Sequence, residues 1–223
     1  MTSEKNDLMY LPVSLGEAMD KLTILDIKLD QIKDNRRIDV EKEYDLLYEK
    51  LNHFLIKYNV LYQSMKKVNL MIWNMMDVLR DGNVDDEEYL KVCKKCVEYN
   101  DIRFRVKNKI NYASKSSLKE QKSYKVNGLL IEMSCSIGNI EDFVRPIKYY
   151  SLFYDEIVIK HCDDSLLKPQ FQYDPTIVFI ANEDGLNCAK NSKKQFTFAN
   201  SFYDKDAINK IFELTEYTIN SIL

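Results

Sequence analysis

The side chains best suited to chemistry are a few sulfurs, two imidazoles and the loops that follow strand-like runs. Cys93-x-x-Cys96 is the one close pair among five cysteines at 93, 96, 135, 162 and 188. A zinc site would need a second pair of ligands near by, and His53 and His161 lie far off in sequence. A redox pair should open a helix after a strand, whereas this one falls inside a helical pattern. Reduced cysteines of a cytosolic protein are the expectation. His161 follows a strand, where a catalytic group can sit, but no acid is paired with it. His53 lies beside Phe54 in a long helix. No Walker loop, metal-ligand cluster or Ser-His-Asp set can be nominated, so neither metal nor cofactor is expected.

A second set of polar residues is spread over helices: Glu17, Asp20, Lys21, Asn69, Asn100, Asp101 and Arg103. Glu17 and Lys21 are spaced i,i+4, a pairing worth about 0.2–0.5 kcal/mol. Asn69 flanks an apolar seam, where a polar group can fix register. Asn100, Asp101 and Arg103 can bond across helices. As a ligand site, the lining would be Asp20, Lys21, Asn69, Asn100 and Arg103. The plainer reading is an interhelical polar cluster with a structural role.

The elements that must position these groups begin with a proline stop and a helix start. Ser14 with Glu17 three positions on reads as a capping box. Leu15, Ala18, Leu22, Leu25, Leu29 and Ile32 then lie on one helix stripe. From Arg36 to Asp81 there is neither glycine nor proline. Tyr44, Leu47, Leu51, Phe54, Tyr58, Leu61, Met65, Val68, Ile72, Met75 and Leu79 keep three-four spacing, a span of roughly 54 Å if unbroken. A break near Lys57-Tyr58-Asn59 is the alternative, and periodicity leaves one helix or two open. A second stripe, Tyr62, Asn69, Trp73 and Met76, predicts packing on two sides and hence the central helix. Asp81-Gly82-Asn83 ends it. Asp85 with Glu88 starts a further helix through Ile110, acidic in its first turn and basic at Arg103, Arg105, Lys107 and Lys109. Compensation of the helix dipole explains that distribution better than a phosphate-binding patch. Ser114 to Lys125, polar and lysine-rich, reads as a linker.

Three motifs in this half, Pro12-Val13-Ser14-x-Gly16-Glu17-x-x-Asp20-Lys21-x-Thr23-Ile24-Leu25, Val68-Asn69-x-x-Ile72-Trp73 and Asn100-Asp101-x-Arg103-x-Arg105-x-Lys107, resemble a family of small helical proteins. That family is mostly bacterial, and its genes often lie beside or fused to glycosyltransferase and surface-polysaccharide genes. The resemblance covers about residues 10–124. It implies a context of glycan synthesis and no catalytic residues.

Beyond the linker the texture changes. Gly128–Met133, Glu156–Lys160 and Pro175–Ile180 are strand-length apolar runs, and Gln195–Phe198 offers a fourth. A helical stretch from Ile140 to Phe153 and a last amphipathic helix from Ile208 to Ile222 separate and follow them. Strands alternating with helices predict a small Rossmann-like domain with a mostly parallel sheet of three to four strands. Ligands in such sheets sit at the carboxyl ends of strands, here the loops from Ser134, His161 and Ala181.

Ser134-Cys135-Ser136-Ile137-Gly138-Asn139, with Pro146 later, is similar to the first strand-loop-helix of heptosyltransferase-type glycosyltransferases over residues 125–182. That resemblance implies a backbone cradle for an anionic sugar or phosphate formed by Ser134, Cys135, Ser136, Gly138 and Asn139, with His161 on the next loop. The chain departs from the pattern where Cys135 and Ser136 replace flexible glycines. Asn139 stands where an acid would, and an amide cannot accept a proton as a general base. A donor lobe would need a further 100–150 residues or so, for which the 223 residues leave no room.

The expected organisation is α+β by domain. Residues 1–11 are a flexible start, 12–112 a helix hairpin or bundle, 113–125 a linker and 126–223 the Rossmann-like domain. Hydrophobic residues make up 45% and charged ones 30%, a globular balance. A net charge of −3 argues against nucleic acid or an anionic membrane as partner. The N-terminus has neither the basic start nor the apolar run of a secretory signal, so a cytoplasmic location is expected. The expected role is a non-catalytic accessory or scaffold protein of polysaccharide synthesis. Its expected partners are a second copy, a helical partner protein or a glycan-synthesis enzyme. The alternatives are a sugar- or nucleotide-binding glycosyltransferase-like enzyme needing a partner chain, and a purely structural helical oligomerisation protein.

Overall fold

The computed structural model describes residues 9–123, 127–133, 144, 147, 148, 150–160, 166–172, 174–180 and 192–198. Four helices precede a four-stranded sheet. Helix α1, Leu15–Gln31, starts where the sequence places it, with Ser14 Oγ accepting from the Glu17 N–H at 3.1 Å. Only half of the predicted capping box forms this way, because the Glu17 carboxylate bonds instead to Lys107 on another helix.

The long apolar repeat is divided. Helix α2 is Arg37–Lys57 and α3 is Asn59–Asp81, parted at Tyr58 with φ −114° and ψ 28°. Tyr58 is held from both sides: its N–H donates to the Phe54 carbonyl, and its own carbonyl accepts from Tyr62 N–H. The predicted stop after α3 is present, with Gly82 in the left-handed region at φ +64°. A side chain there would be strained in that conformation. Helix α4, Asp86–Ala113, is capped by Asp85 Oδ1, which accepts from Glu88 N–H at 2.9 Å.

Helix α1 is the most deeply buried of the four, while α3 also meets all three other helices. Helix α1 packs on α2, α3 and α4 alike, and Met19, Leu22, Leu25 and Ile27 are almost wholly removed from solvent. In α2 only Leu51 is buried. The two-stripe pattern of residues 62–76 arises because α3 packs against both α1 and α4. Pairs at either end, Tyr58 with Ala113 and Met76 with Cys96, show that α3 and α4 run antiparallel.

Strands β1, Gly128–Met133, β2, Glu156–Lys160, β3, Ile177–Ile180, and β4, Ser192–Phe198, pair in the order β3-β2-β1-β4. Every pairing is parallel, with Leu129 opposite Ile157 and Ile157 opposite Ile177. The run β3-β2-β1 is the order of one half of a doubly wound sheet, and β4 on the far side of β1 starts the other; the fold is mixed α+β with a small Rossmann-like sheet. Leu129, Ile131, Ile157 and Ile159 pack on Val144, Ile147, Tyr150 and Phe171. Leu130 and Val158, pointing to the other face by strand alternation, are buried too, as parallel sheets require. Of the predicted helix over 140–153, the described residues 144, 147, 148 and 150 are helical and 151–153 form a turn, while the last helix lies wholly outside the described residues.

Residues 114–123 fold back along α4 rather than hanging as a linker. Lys119 Nζ lies over the Tyr112 ring and Lys122 Nζ over that of Phe104. Asn108 Nδ2 donates to the Glu120 carbonyl at 3.3 Å.

Candidate functional site: a two-faced basic ladder on α4

Residues two apart on a helix point about 200° away from each other, and residues four apart share a face. Arg103, Arg105, Lys107 and Lys109 obey this strictly. Arg103 and Lys107 turn toward α1, and Arg105 and Lys109 toward the sheet.

On the first face Arg103 grips Asp20 with both ends of its guanidinium, Nε to Oδ1 at 2.9 Å and Nη2 to Oδ2 at 2.7 Å. Asp20 is 1% exposed. Asn69 Nδ2 donates to Asp20 Oδ1 and to Thr23 Oγ1, each at 2.8 Å, and Thr23 Oγ1 donates to the Asp20 carbonyl. A buried carboxylate is tolerated only when paired and bonded in this way. Lys107 Nζ reaches Glu17 at 2.9 Å and Glu120 at 2.5 Å, with Asp20 at 3.8 Å. Burial works against the charge on Lys107, yet its bonds to Glu120 and Glu17 and the charge of Asp20 outweigh it, so its pKa is raised. Burial likewise opposes Arg103, and Asp20 more than compensates.

This network needs α1 and α4 in close contact. Gly16 permits it: a Cβ there would sit 2.4 Å from the Lys107 carbonyl oxygen and 2.7 Å from Asn111 Oδ1. Without that Cβ, the Gly16 N–H donates to Asn111 Oδ1 at 2.7 Å, which satisfies one of the open donors of the α1 start.

On the second face Arg105, 7% exposed, donates to Asp155 Oδ1 from Nε at 2.9 Å and from Nη2 at 2.7 Å, and to the Leu152 carbonyl at 3.0 Å. Asp155 Oδ2 accepts the Asn127 N–H, so the pair locks the entries of β1 and β2. Lys109 pairs with Asp174, whose other oxygen accepts from Thr176. Burial pushes the Lys109 pKa down despite Asp174, with Lys148 and Arg105 adding like charge.

Lys109 Nζ also lies 2.6 Å from Ser151 Oγ, the spacing of a serine-lysine nucleophile pair. Two observations assign it to structure. Ser151 is wholly buried, and its hydroxyl donates to the Lys148 carbonyl at 2.6 Å while the ammonium donates to it. A lysine that donates to the hydroxyl and is paired with Asp174 is not acting as its base.

Asp20, Asn69 and Arg103 are thus brought together as the sequence suggests, and Glu17 joins them through Lys107. The other three are not. Lys21 pairs with Glu43 at 2.6 Å on the surface instead of with Glu17. Asn100 is exposed, and Asp101 pairs with Lys122 at 3.3 Å. Dipole compensation does not explain the basic run either. Helix α4 continues to Ala113 with no basic residue in its last turn, and the dipole's influence fades within that turn. Thr23, Lys107, Asn111, Arg105, Asp155, Lys109 and Asp174 complete the two networks, and the two-residue spacing of the four cations was the signal for both.

Ser134, Cys135, Ser136, Gly138, Asn139 and His161 lie outside the described residues. Cys93 and Cys96 are free thiols, and Cys96 Sγ is 3.8 Å from Met76 Sδ at the contact with α3. Among the described residues no group of three or more His, Cys, Asp or Glu could hold a metal ion. No described helix is long and apolar enough to cross a membrane.

No curated protein and no solved structure matches the chain. Residues 9–140 match a family of unknown function, DUF6165. The match takes in α1 to α4 and β1, the elements that carry Gly16, Asp20, Asn69 and the four cations. With more than half of its length so matched, the chain belongs to that family.

Proposed function

We propose that the protein is a non-catalytic accessory or scaffold protein of glycan synthesis, in which α4 holds a helical half and a sheet half in one fixed arrangement. The observation that carries this reading is the occupation of the ladder. Each of Arg103, Arg105, Lys107 and Lys109 is bonded to a carboxylate of its own chain. Cations spent in that way orient elements; they do not wait for an anionic substrate. The tie to glycan synthesis comes from the resemblance of residues 10–124 and of the Ser134–Asn139 loop. The cytoplasmic expectation belongs to the same reading.

The test is a thermal shift of the purified protein against nucleotide sugars, nucleoside diphosphates and divalent metals, with turnover assayed beside it. A ligand at 100 times its dissociation constant would add about 2.7 kcal/mol of stability. A flat panel without turnover is the expected result. Turnover of a nucleotide sugar by the isolated chain would refute the reading.

The parallel order β3-β2-β1-β4 favours a second reading, a sugar- or nucleotide-binding half-enzyme. Its ligand crevice would open at the carboxyl ends of β1 and β4, where the strand order reverses. A shift with a nucleotide sugar that grows in Asn139→Asp would support it.

A further inference from the structure

The other end of α4 is built in the opposite way. From residue 70 to residue 101 Val92 alone is buried, although Leu70, Met71, Ile72, Trp73, Met75, Met76, Val78 and Leu79 make α3 apolar on nearly every side there. Here α3 and α4 run on as a two-helix arm beyond the Asp20–Arg103 pair, the level at which α1 meets them.

The stripe of α4 that carries Arg105 and Lys109 onto the sheet continues along the arm through Val97, Lys94, Leu90 and Glu87. There it is bare: Leu90 is 54% exposed and Val97 67%. Glu87 and Lys94 are exposed as well, and neither has an ion-pair partner among the described residues. They stand seven residues apart, so they occupy one edge of the stripe two turns from each other.

We propose that this arm binds the same face of a second copy of the chain, the two α4 helices antiparallel and centred near Leu90. Charge order selects the partner and its direction. In that arrangement Glu87 of each copy meets Lys94 of the other, twice by symmetry. A parallel pair would set Glu87 against Glu87 and Lys94 against Lys94. The contact is isologous and covers Leu90 and Val97 of both copies, on the side of α4 turned away from α3. The proposal deepens the scaffold reading, on which it rests, by naming the partner.

Sedimentation of the full-length protein over a concentration series should give a dimer. Glu87→Lys alone and Lys94→Glu alone should each weaken it by about tenfold, since both symmetry-related pairs turn from attraction to repulsion. Mixing the two single variants should restore association to within about twofold, because position 87 of each copy then faces the opposite charge at position 94 of the other. Circular dichroism of each variant confirms that the helices are intact. A monomeric wild type, single variants as tight as wild type, or a mixture without recovery would each overturn the pairing. A monomer leaves the scaffold reading to its own ligand test.

Discussion

The two ends of α4 solve different problems with the same residue types. Between residues 103 and 109 every cation is turned inward, and its carboxylate partner comes from another element: Asp20 and Glu17 from α1, Asp155 and Asp174 from the strand entries. Between residues 86 and 97 the charges stay on the surface, where Lys91 and Glu88 form a local pair. Desolvated pairs fix orientation, since breaking one strands a charge in a poor solvent. Exposed charges contribute little to folding and stay available for a partner. One helix therefore carries a built-in seam at one end and an open face at the other.

Asp20→Ala attacks the seam where it is most buried. Arg103 would lose all three of its hydrogen bonds to Asp20 and Asn69 one of its acceptors, and the expected loss is about 3–5 kcal/mol. Equilibrium urea unfolding checks it. Pairing Asp20→Leu with Arg103→Met should recover most of that loss, because an apolar pair of similar volume needs no charge balance. If the double variant is as unstable as the single, the pair is not the unit that holds α1 to α4.

Gly16→Ala tests the same seam through shape rather than charge. The added methyl meets the backbone oxygen of Lys107, which a rotamer change cannot move, so α1 must back away from α4. A cost of about 1–3 kcal/mol is expected. Hydrogen exchange should quicken first at the α1 start, where the Gly16 N–H loses Asn111. An unchanged protection pattern would mean that the two helices are not in register contact there.

The helix boundaries were legible because they are local. Ser14, Gly82 and Asp85 act on backbone within a turn of themselves, and apolar runs at 128–133 and 156–160 can be read without knowing their neighbours. How deeply α1 is buried was not legible. Periodicity counts faces, and it does not say that α1 is short enough to be covered by three others. The polar cluster was half legible for the same reason. Glu17 and Lys21 offer each other a partner at i,i+4, but Lys107 and Glu43 from other elements take them instead. Asn100, Asp101 and Arg103 are neighbours in sequence yet face different surroundings on the wheel. The alternation of Arg103, Arg105, Lys107 and Lys109 held the information about two faces, and their carboxylate partners lie up to 90 residues away.

The two faces of the seam differ in a way that pH can separate. Lys107 has a raised pKa and Lys109 a lowered one, against the same ordinary value of 10.5. For Lys107 the folded chain holds its proton after the unfolded chain has shed it. Its stability contribution is present below 10.5 and is lost as pH rises through the folded pKa. For Lys109 the unfolded chain is the one that holds the proton longer. In the window below 10.5 its contribution therefore makes stability rise with pH. Urea midpoints measured over roughly pH 9–11 should show this. Lys107→Met should flatten the alkaline fall, and Lys109→Met should make that fall begin earlier. Parallel shifts in the two variants would mean that the lysines share one environment, and the division of α4 into two faces would fail with them.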